Sequence, residues 1–283
     1  DWPTRNAAYI EGATELFFEA ARKALSAANL DASQVDTVVT VSSTGIATTS
    51  LEARAAARLG FRDDIERVPV FGLGCAGGVS GLSIAARLAQ SRPGQVVLVV
   101  AVETCTLAFR MDQLTKANIV ATALFGDGAA ACVLRAQQGG MAEVEMSGQQ
   151  MWPDTLDIMG WSVDPEGLGV IFDRAIPPFA EANIAEAVTK ILARGGLTLG
   201  DIDRVACHPG GAKVVDALEQ ALSLGQGSLN HERDVLFDYG NMSAPTALFV
   251  LDRLAKSGLP RRTLLTALGP GFTASCVSLK AAA

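Results

Sequence analysis

The sequence repeats itself, and the repeat limits what the chain can fold into more than any single motif does. Ala20-Ala21-Arg22-Lys23-Ala24-Leu25, then Leu30 and Val35-Asp36, are matched by Ala187-Val188-Thr189-Lys190-Ile191-Leu192, then Leu197 and Ile202-Asp203, each pair 167 apart. Phe71, Gly74, Arg87-Leu88-Ala89 and Leu98 recur as Phe237, Gly240, Arg253-Leu254-Ala255 and Leu264, now 166 apart. The final match, Ala131-Cys132-Val133 with Ser275-Cys276-Val277, is offset by 144, so the first half carries 22 extra residues around 104–126. A nearly constant offset held through helix, strand, turn, helix and strand marks a duplication. It predicts an α/β fold of two units, residues 1–136 and 137–283, related by a pseudo-two-fold axis. Their mixed sheets are expected between helices in an α-β-α-β-α stack. The halves start unequally. About forty residues, including the strand-like Ala142–Gln149 and Gly169–Phe172, precede the first long helix of the second half, against ten in the first. An opening strand segment of the first unit is therefore expected to be missing from this sequence.

The first half reads as a helix over 11–29, a strand over Val35–Ser42, a helix over Ser50–Leu59 and a strand over Val68–Leu73. A third helix runs to about Gln90 and breaks at Ser91-Arg92-Pro93-Gly94 before the strand Val96–Glu103. Residues 105–125 read as irregular and partly helical, and Gly126-Asp127-Gly128 introduces a strand through Leu134. Composition narrows the function classes. With a net charge of −7 and no lysine- or arginine-rich run, the chain lacks the clustered cations that bind nucleic acid. The longest apolar runs, such as Val96–Val102, suit buried strands and are too short to span a bilayer. Asp1-Trp2-Pro3-Thr4-Arg5 leads into an amphipathic helix, not a secretory signal. Cys75, Cys105, Cys132, Cys207 and Cys276 show no metal-ligand spacing, and their odd number argues against a disulfide framework. No bound metal is expected, and a reducing cytoplasm fits this cysteine usage.

Three residues stand out chemically. Cys75 sits in Val70-Phe71-Gly72-Leu73-Gly74-Cys75-Ala76-Gly77-Gly78-Val79-Ser80-Gly81-Leu82, where an apolar strand turns into a helix. The free N–H groups of a helix start depress a thiol pKa and favour the thiolate. The neighbouring glycines would let a substrate approach the backbone. A buried inert cysteine is the alternative for such a residue taken alone. His208 follows an apolar strand in Val205-Ala206-Cys207-His208-Pro209-Gly210-Gly211, at a strand end where open α/β sheets present side chains to ligands; a structural histidine is the alternative. Asn241, in Tyr239-Gly240-Asn241-Met242-Ser243-Ala244-Pro245-Thr246, starts another helix and could simply cap it. The duplication weighs against three separate structural roles. At the offset of 166, Asn241 is the counterpart of Cys75, so both helix starts should converge near the pseudo-axis, beside the strand end carrying His208. The other histidine, His231, is expected in a charged surface loop.

Together Gly74-Cys75-Ala76-Gly77-Gly78, Phe125-Gly126-Asp127-Gly128-Ala129-Ala130, His208-Pro209-Gly210-Gly211, Gly240-Asn241-Met242-Ser243 and Gly269-Pro270-Gly271-Phe272 resemble the type III polyketide synthases. These are the chalcone-synthase-like members of the thiolase fold, here of bacterial character. The resemblance runs the whole chain in the right order and also implies an absent N-terminal segment, which in the family carries most of the basic residues for CoA phosphates. It implies that Cys75 carries the acyl group, with His208 as its imidazolium partner and Asn241 as the third catalytic residue. An acyl-CoA starter loaded on Cys75 would be extended by decarboxylated malonyl-CoA and then cyclised to a pyrone, resorcinol or similar product. No cofactor is implied beyond the CoA thioesters themselves.

The resemblance also implies that Phe125 is a gatekeeper at the CoA tunnel. Val170 falls at the second gatekeeper, where a phenylalanine is usual, which suggests a wider passage and a medium or long acyl starter. Cys105, Gly160 and Ser243 fall at cavity-lining positions, and Thr48 where a partner subunit's cavity is reached; for Cys105 and Val170, ordinary core is the alternative. A homodimer is implied, with 104–126 a candidate contributor to its interface. Two rival readings are a ketoacyl synthase III-like enzyme of fatty-acid initiation and a non-catalytic thiolase-fold binding subunit. The first normally follows its histidine with Gln-Ala-Asn, where this chain has Pro209-Gly210-Gly211. The second has no need of an intact Cys75, His208 and Asn241.

Overall fold

Two four-stranded mixed sheets carry the chain. In the computed structural model, which describes residues 1–137 and 139–282, the first half runs α1 (Trp2–Ala27), β1 (Thr37–Val41), α2 (Leu51–Leu59), β2 (Glu66–Val70), α3 (Gly77–Ser91), β3 (Val96–Thr104), α4 (Lys116–Leu124) and β4 (Asp127–Arg135). The second runs β5 (Ala142–Met151), β6 (Met159–Asp164), β7 (Gly167–Phe172), α5 (Ile176–Arg194), β8 (Arg204–Cys207), α6 (Ala212–Ala221), α7 (Asn230–Tyr239), α8 (Thr246–Ser257), β9 (Arg262–Gly269) and β10 (Thr273–Ala281). Residues 138 and 283, next to or at the expected unit boundaries, lie outside the described residues.

Helix α1 begins nine residues before the expected start. The Asp1 carboxylate accepts from the Thr4 N–H at 2.9 Å and Pro3 occupies the first turn, where its missing N–H costs nothing. Tyr9, Ala13, Phe17, Ala21 and Leu25, four apart, form its buried stripe. The first sheet has the order β2-β1-β3-β4, with β1 parallel to β2 and β3, and β4 antiparallel to β3. The second has the order β5-β10-β9-β8, with β8 parallel to β9, and β10 antiparallel to β9 and β5. All nine residues of β3 are buried, as the unbroken apolar run predicts for a strand covered on both faces.

The repeat is visible in this topology. Strands β1, β3 and β4 correspond to β8, β9 and β10, and the offsets read from the sequence superpose them. Strand β5 has no counterpart among the described residues of the first half: β10 is flanked on both sides, whereas β4 is an edge. The repeat also fails once. The offset of 166 places β2 on residues 232–236, and these lie in α7. Helical spacing turns Glu232 and Val235 to the same buried side, and Glu232 accepts from Arg204 at 2.7 Å and from the Cys207 N–H at 3.1 Å. The side of β8 that a strand would have covered is thus met by a helix and its carboxylate. His231 belongs to this helix and is half-buried, not in a surface loop.

Three buried clusters separate five layers. Helices α3 and α8 fill the space between the sheets with Val79, Leu82, Ala247 and Leu251, packed on Val39 and Val99 from one sheet and Leu265 and Val277 from the other. α1 and α2 cover the outer face of the first sheet, and α5 and α6 that of the second. The central pair puts the starts of α3 and α8 side by side. That position makes the site.

Candidate active site

The turn before α3 is a single tight 3-10 turn, Gly74–Ala76, with Cys75 in its middle. Its glycines serve the fold, and Gly74 also lines the cavity. A Cβ on Gly78 would fall on the Ala244 carbonyl oxygen, and one on Gly74, whose φ is +47°, would lie 2.7 Å from Cδ of Pro270. The glycines let the second half of the chain close on the first, and the closure brings Asn241 to Cys75. The Cys75 Sγ lies 4.0 Å from the Asn241 Oδ1.

Asn241 is held on four sides. Its N–H donates to the Leu124 carbonyl at 2.8 Å and its carbonyl accepts from Gly126 at 3.0 Å, a bridge that also places Phe125. Its Oδ1 accepts from the Ser243 N–H at 2.8 Å and its Nδ2 donates to the Gly210 carbonyl at 3.2 Å. Because a backbone N–H can only donate, the Ser243 contact assigns the amide oxygen, and one Nδ2 hydrogen stays uncommitted. The Ser243 backbone sits in the left-handed region at φ +60°, and its hydroxyl reaches the Cys75 thiol. His208, at the end of β8, anchors its own N–H on the Thr266 carbonyl at 2.9 Å. The imidazole is only 4% exposed, and neither ring nitrogen has a partner. Leaving such a group buried and unpaired costs about 1–3 kcal/mol.

Cys75, His208 and Asn241 face one cavity of about 670 Å³. Its wall includes Cys105, Phe125, Gly160, Val170 and Ser243, five of the six cavity positions expected from the sequence. Thr48, the sixth, is exposed on the loop between β1 and α2 and lines no cavity of this chain. The hairpin β6–β7, whose first strand the sequence reading missed, supplies much of the wall, with Trp161 edge-on to Phe125 at 6.2 Å between ring centres. A second cavity of about 640 Å³ shares Cys105, Phe125 and Val170 with the first. These three residues therefore form the partition between the two spaces.

The electrostatics reverse one expectation. Burial pushes the Cys75 thiol up to about 11, opposed by its hydrogen bonds to Ser243 and Asn241, instead of the helix start drawing it down. Burial also pushes the His208 imidazole down to about 4. Both directions favour the uncharged forms, thiol and neutral imidazole. One further group went unnoticed in the sequence. Glu103, at the end of the apolar β3, is fully buried with its carboxyl pushed up to about 7 by burial. The Ser43 N–H and the Thr44 hydroxyl donate to its Oε2 at 2.9 and 2.7 Å, while Oε1 has no partner. Its negative charge opposes ionisation of both Cys75 and Cys105. The one available signal was an acidic residue closing a run of seven apolar ones. No His/Cys/Asp/Glu cluster suited to a metal occurs among the described residues.

A thiol, an imidazole with both nitrogens free and an amide with a spare N–H on one apolar cavity define a thiol-based acyl-transfer centre on a thiolase-like fold. Comparison with known proteins agrees. The chalcone and stilbene synthase N-terminal domain matches residues 3–138 and the C-terminal domain residues 143–282. A 1,3,6,8-tetrahydroxynaphthalene synthase of Streptomyces peucetius is 38% identical over 99% of this chain and 76% of its own length. A putative chalcone synthase of Bacillus subtilis is 39% identical over 85% of this chain and 69% of its own. The crystal structure of the Streptomyces coelicolor 1,3,6,8-tetrahydroxynaphthalene synthase, described as a bacterial type III polyketide synthase, superposes with a TM-score of 0.95 at 29% identity, over 100% of this chain and 82% of that one. The chain belongs to the chalcone and stilbene synthase family, the type III polyketide synthases. It is an acyltransferase that condenses malonyl-CoA onto an acyl-CoA starter, and not a ketoacyl synthase III or a non-catalytic subunit.

Proposed function

We propose that Cys75 holds the growing chain as a thioester, with His208 and Asn241 serving it in two different steps. In loading, the Sγ attacks the thioester carbonyl of the starter, its proton passes to the free nitrogen of His208, and CoA leaves as the thiol after taking that proton. Resting thiol and neutral imidazole are the forms this transfer starts from. The two charges arise together, each as counter-ion to the other, in a cavity that would penalise either alone. In extension, malonyl-CoA loses CO₂ and negative charge develops on the thioester oxygen. The uncommitted Asn241 N–H and a donor nitrogen of His208 meet that charge, and one such donor is commonly worth about 3 kcal/mol at the transition state. The enolate carbon then forms a bond to the acyl carbon on Cys75, the C–S bond breaks with its electron pair on Sγ, and the thiolate takes the lengthened chain back from its CoA thioester, releasing CoA. The orphaned ring nitrogens of His208 support this assignment most directly.

The second cavity fits the approach of the CoA arm, with Phe125 and Val170 at the point where it meets the reaction chamber. Valine at 170, beside Phe125 in the cavity wall, favours a medium or long acyl starter and a pyrone or resorcinol product. The enzyme works without a cofactor beyond CoA, as a cytoplasmic homodimer in which the exposed Thr48 reaches toward the partner. No helix among the described residues is long and apolar enough to cross a membrane. Ile46, two residues before Thr48, and Met111, Leu114 and Ile119 in the 104–126 segment are exposed apolar side chains. The test is mass spectrometry of products from malonyl-CoA with a panel of acyl-CoA starters, and with malonyl-CoA alone, alongside light scattering for the dimer. Pyrones or resorcinols from C6–C16 starters support the reading. Products from malonyl-CoA alone would instead ally the chain with the relatives named for tetrahydroxynaphthalene. His208→Gln should lose malonyl decarboxylation, and wild-type turnover there removes the role given to His208.

A further inference from the structure

Arg110 is the largest fully buried side chain among the described residues, with its side chain 1% exposed, yet it touches no part of the cavity. It lies in the segment between β3 and α4, which walls the second cavity through Cys105, Thr106 and Phe109 and leads through α4 to Phe125. Its guanidinium grips two carboxylates. Nε and Nη2 donate to Asp112 at 2.7 and 2.5 Å, and Nη1 and Nη2 donate to Asp164 at 3.0 and 3.2 Å. Asp112 belongs to the same segment, but Asp164 ends β6, at the tip of the hairpin carrying Gly160, Trp161 and Val170. Gln113 adds a longer bond to Asp164 at 3.4 Å. Arg5 of α1 donates to the carbonyl of Leu107 at 2.9 Å and to that of Phe109. At the hairpin turn, a Cβ on Gly167 would come 2.7 Å from the Trp2 ring.

The seam thus joins the two walls that meet at the partition between the cavities. Phe125 comes from one wall and Val170 from the other. The two carboxylates are themselves half-exposed, so water screens their attraction to Arg110 and the pairs are weak as a source of stability. A planar fork bonded on two edges is strong as a spacer, because it defines direction as well as distance.

We propose that Arg110 is a positioning residue for substrate choice: by tying the 105–126 segment to Asp164 at the hairpin tip, it sets the gap between Phe125 and Val170 through which acyl thioesters pass. The inference rests on the polyketide-forming function above and deepens it. Loss of the tie lets the hairpin drift from Phe125. Entry and chain-length choice then change, while Cys75, His208 and Asn241 stay anchored in their own turns.

The experiment compares wild type with Arg110→Met and Asp164→Asn, the second preserving side-chain volume in case the first does not fold. Three quantities are read: kcat and KM for malonyl-CoA decarboxylation, and the ratio of products differing by one extension. Expected in both variants is a KM changed by about fivefold or more and a product ratio shifted by a similar factor, with kcat at saturation within about twofold. Arg110→Lys, which keeps the charge and loses the fork, should fall on the side of Arg110→Met. Wild-type KM and product ratio in folded Asp164→Asn overturn the proposal. So does a fall in kcat with KM and product ratio unchanged, which would mean the tie acts on the reacting groups themselves. A wild-type enzyme that turns over no malonyl-CoA counts against the function, not against the seam.

Discussion

The Cys75 turn and the Asn241 turn occupy equivalent places in the two halves, yet they are built for opposite purposes. Cys75 is half-buried, opens into the cavity and meets only the Ser243 hydroxyl and, at 4.0 Å, the Asn241 amide oxygen. Asn241 is 1% exposed and has every polar group but one Nδ2 hydrogen engaged. The elements before them also differ, an edge strand in one case and α7 in the other. The contrast teaches a division of labour. A sulfur that takes on and gives up acyl chains needs room, whereas a donor aimed at a transient oxyanion works only when it cannot turn away. Duplication supplied two similar helix starts, and what surrounds each suits one to the proposed role of carrier and the other to that of clamp.

The comparison can be broken most severely at the sulfur. Cys75→Ala should lower product formation by at least about a thousandfold and abolish the acyl-enzyme seen by intact-protein mass spectrometry. An acyl adduct persisting on another cysteine would remove Cys75 from its role. Next is the clamp: Asn241→Ala should slow malonyl decarboxylation by about 10²–10³-fold. Unaltered decarboxylation with altered starter choice would make Asn241 a wall residue only.

Smaller effects fall on stability. Glu103 binds its proton more tightly folded, at about 7, than unfolded, at about 4.5, so its contribution is full below pH 4.5 and is lost as pH rises through 7. His208, lowered to about 4, acts the opposite way: its contribution is full above pH 6.5 and is lost as pH falls toward 4. The two nearly cancel in the intact protein. The difference in urea stability between wild type and Glu103→Gln should therefore expose a change of about 3 kcal/mol between pH 5 and pH 8, to the disadvantage of wild type at the higher pH. A pH-independent difference would refute the buried carboxyl's titration. Gly78→Ala drives a methyl group onto the Ala244 carbonyl and should cost about 1–3 kcal/mol, with a lower Tm. The smallest effect distinguishes the thiol's resting state. Iodoacetamide labelling of Cys75 should rise steadily through pH 9, since burial holds it as a thiol, and a plateau reached by pH 6 would reveal a resting ion pair.

Much of this was legible in the residues. The strand positions followed from β-branched runs such as Val96–Val102, and the pairing of Cys75 with Asn241 from an offset that survives in the backbone. The segment around His231 was read as a charged surface loop, and it is the start of α7. Its inward side is set by Glu232 meeting Arg204 and Cys207 N–H, partners far apart in sequence. The β6 strand was missed because its residues, Met159-Gly160-Trp161-Ser162-Val163-Asp164, are mostly half-exposed and carry little periodicity. The close approach of Gly78 to the Ala244 carbonyl was not legible, because a sequence does not say which backbone comes near.

What the sequence determined by itself is the duplication, and with it the fold class, the two helix starts and the identities of thiol, imidazole and amide at their tips. Local periodicity and a constant offset survive in one dimension. The tertiary structure alone decided how charged those groups are, which residues partition the two cavities and what ties the walls together. Desolvation depends on everything that surrounds a side chain, whichever part of the chain it comes from. That is why burial overruled the helix start at Cys75, why Glu103 joined the site from the end of a strand, and why Asp164 came to rest against Arg110.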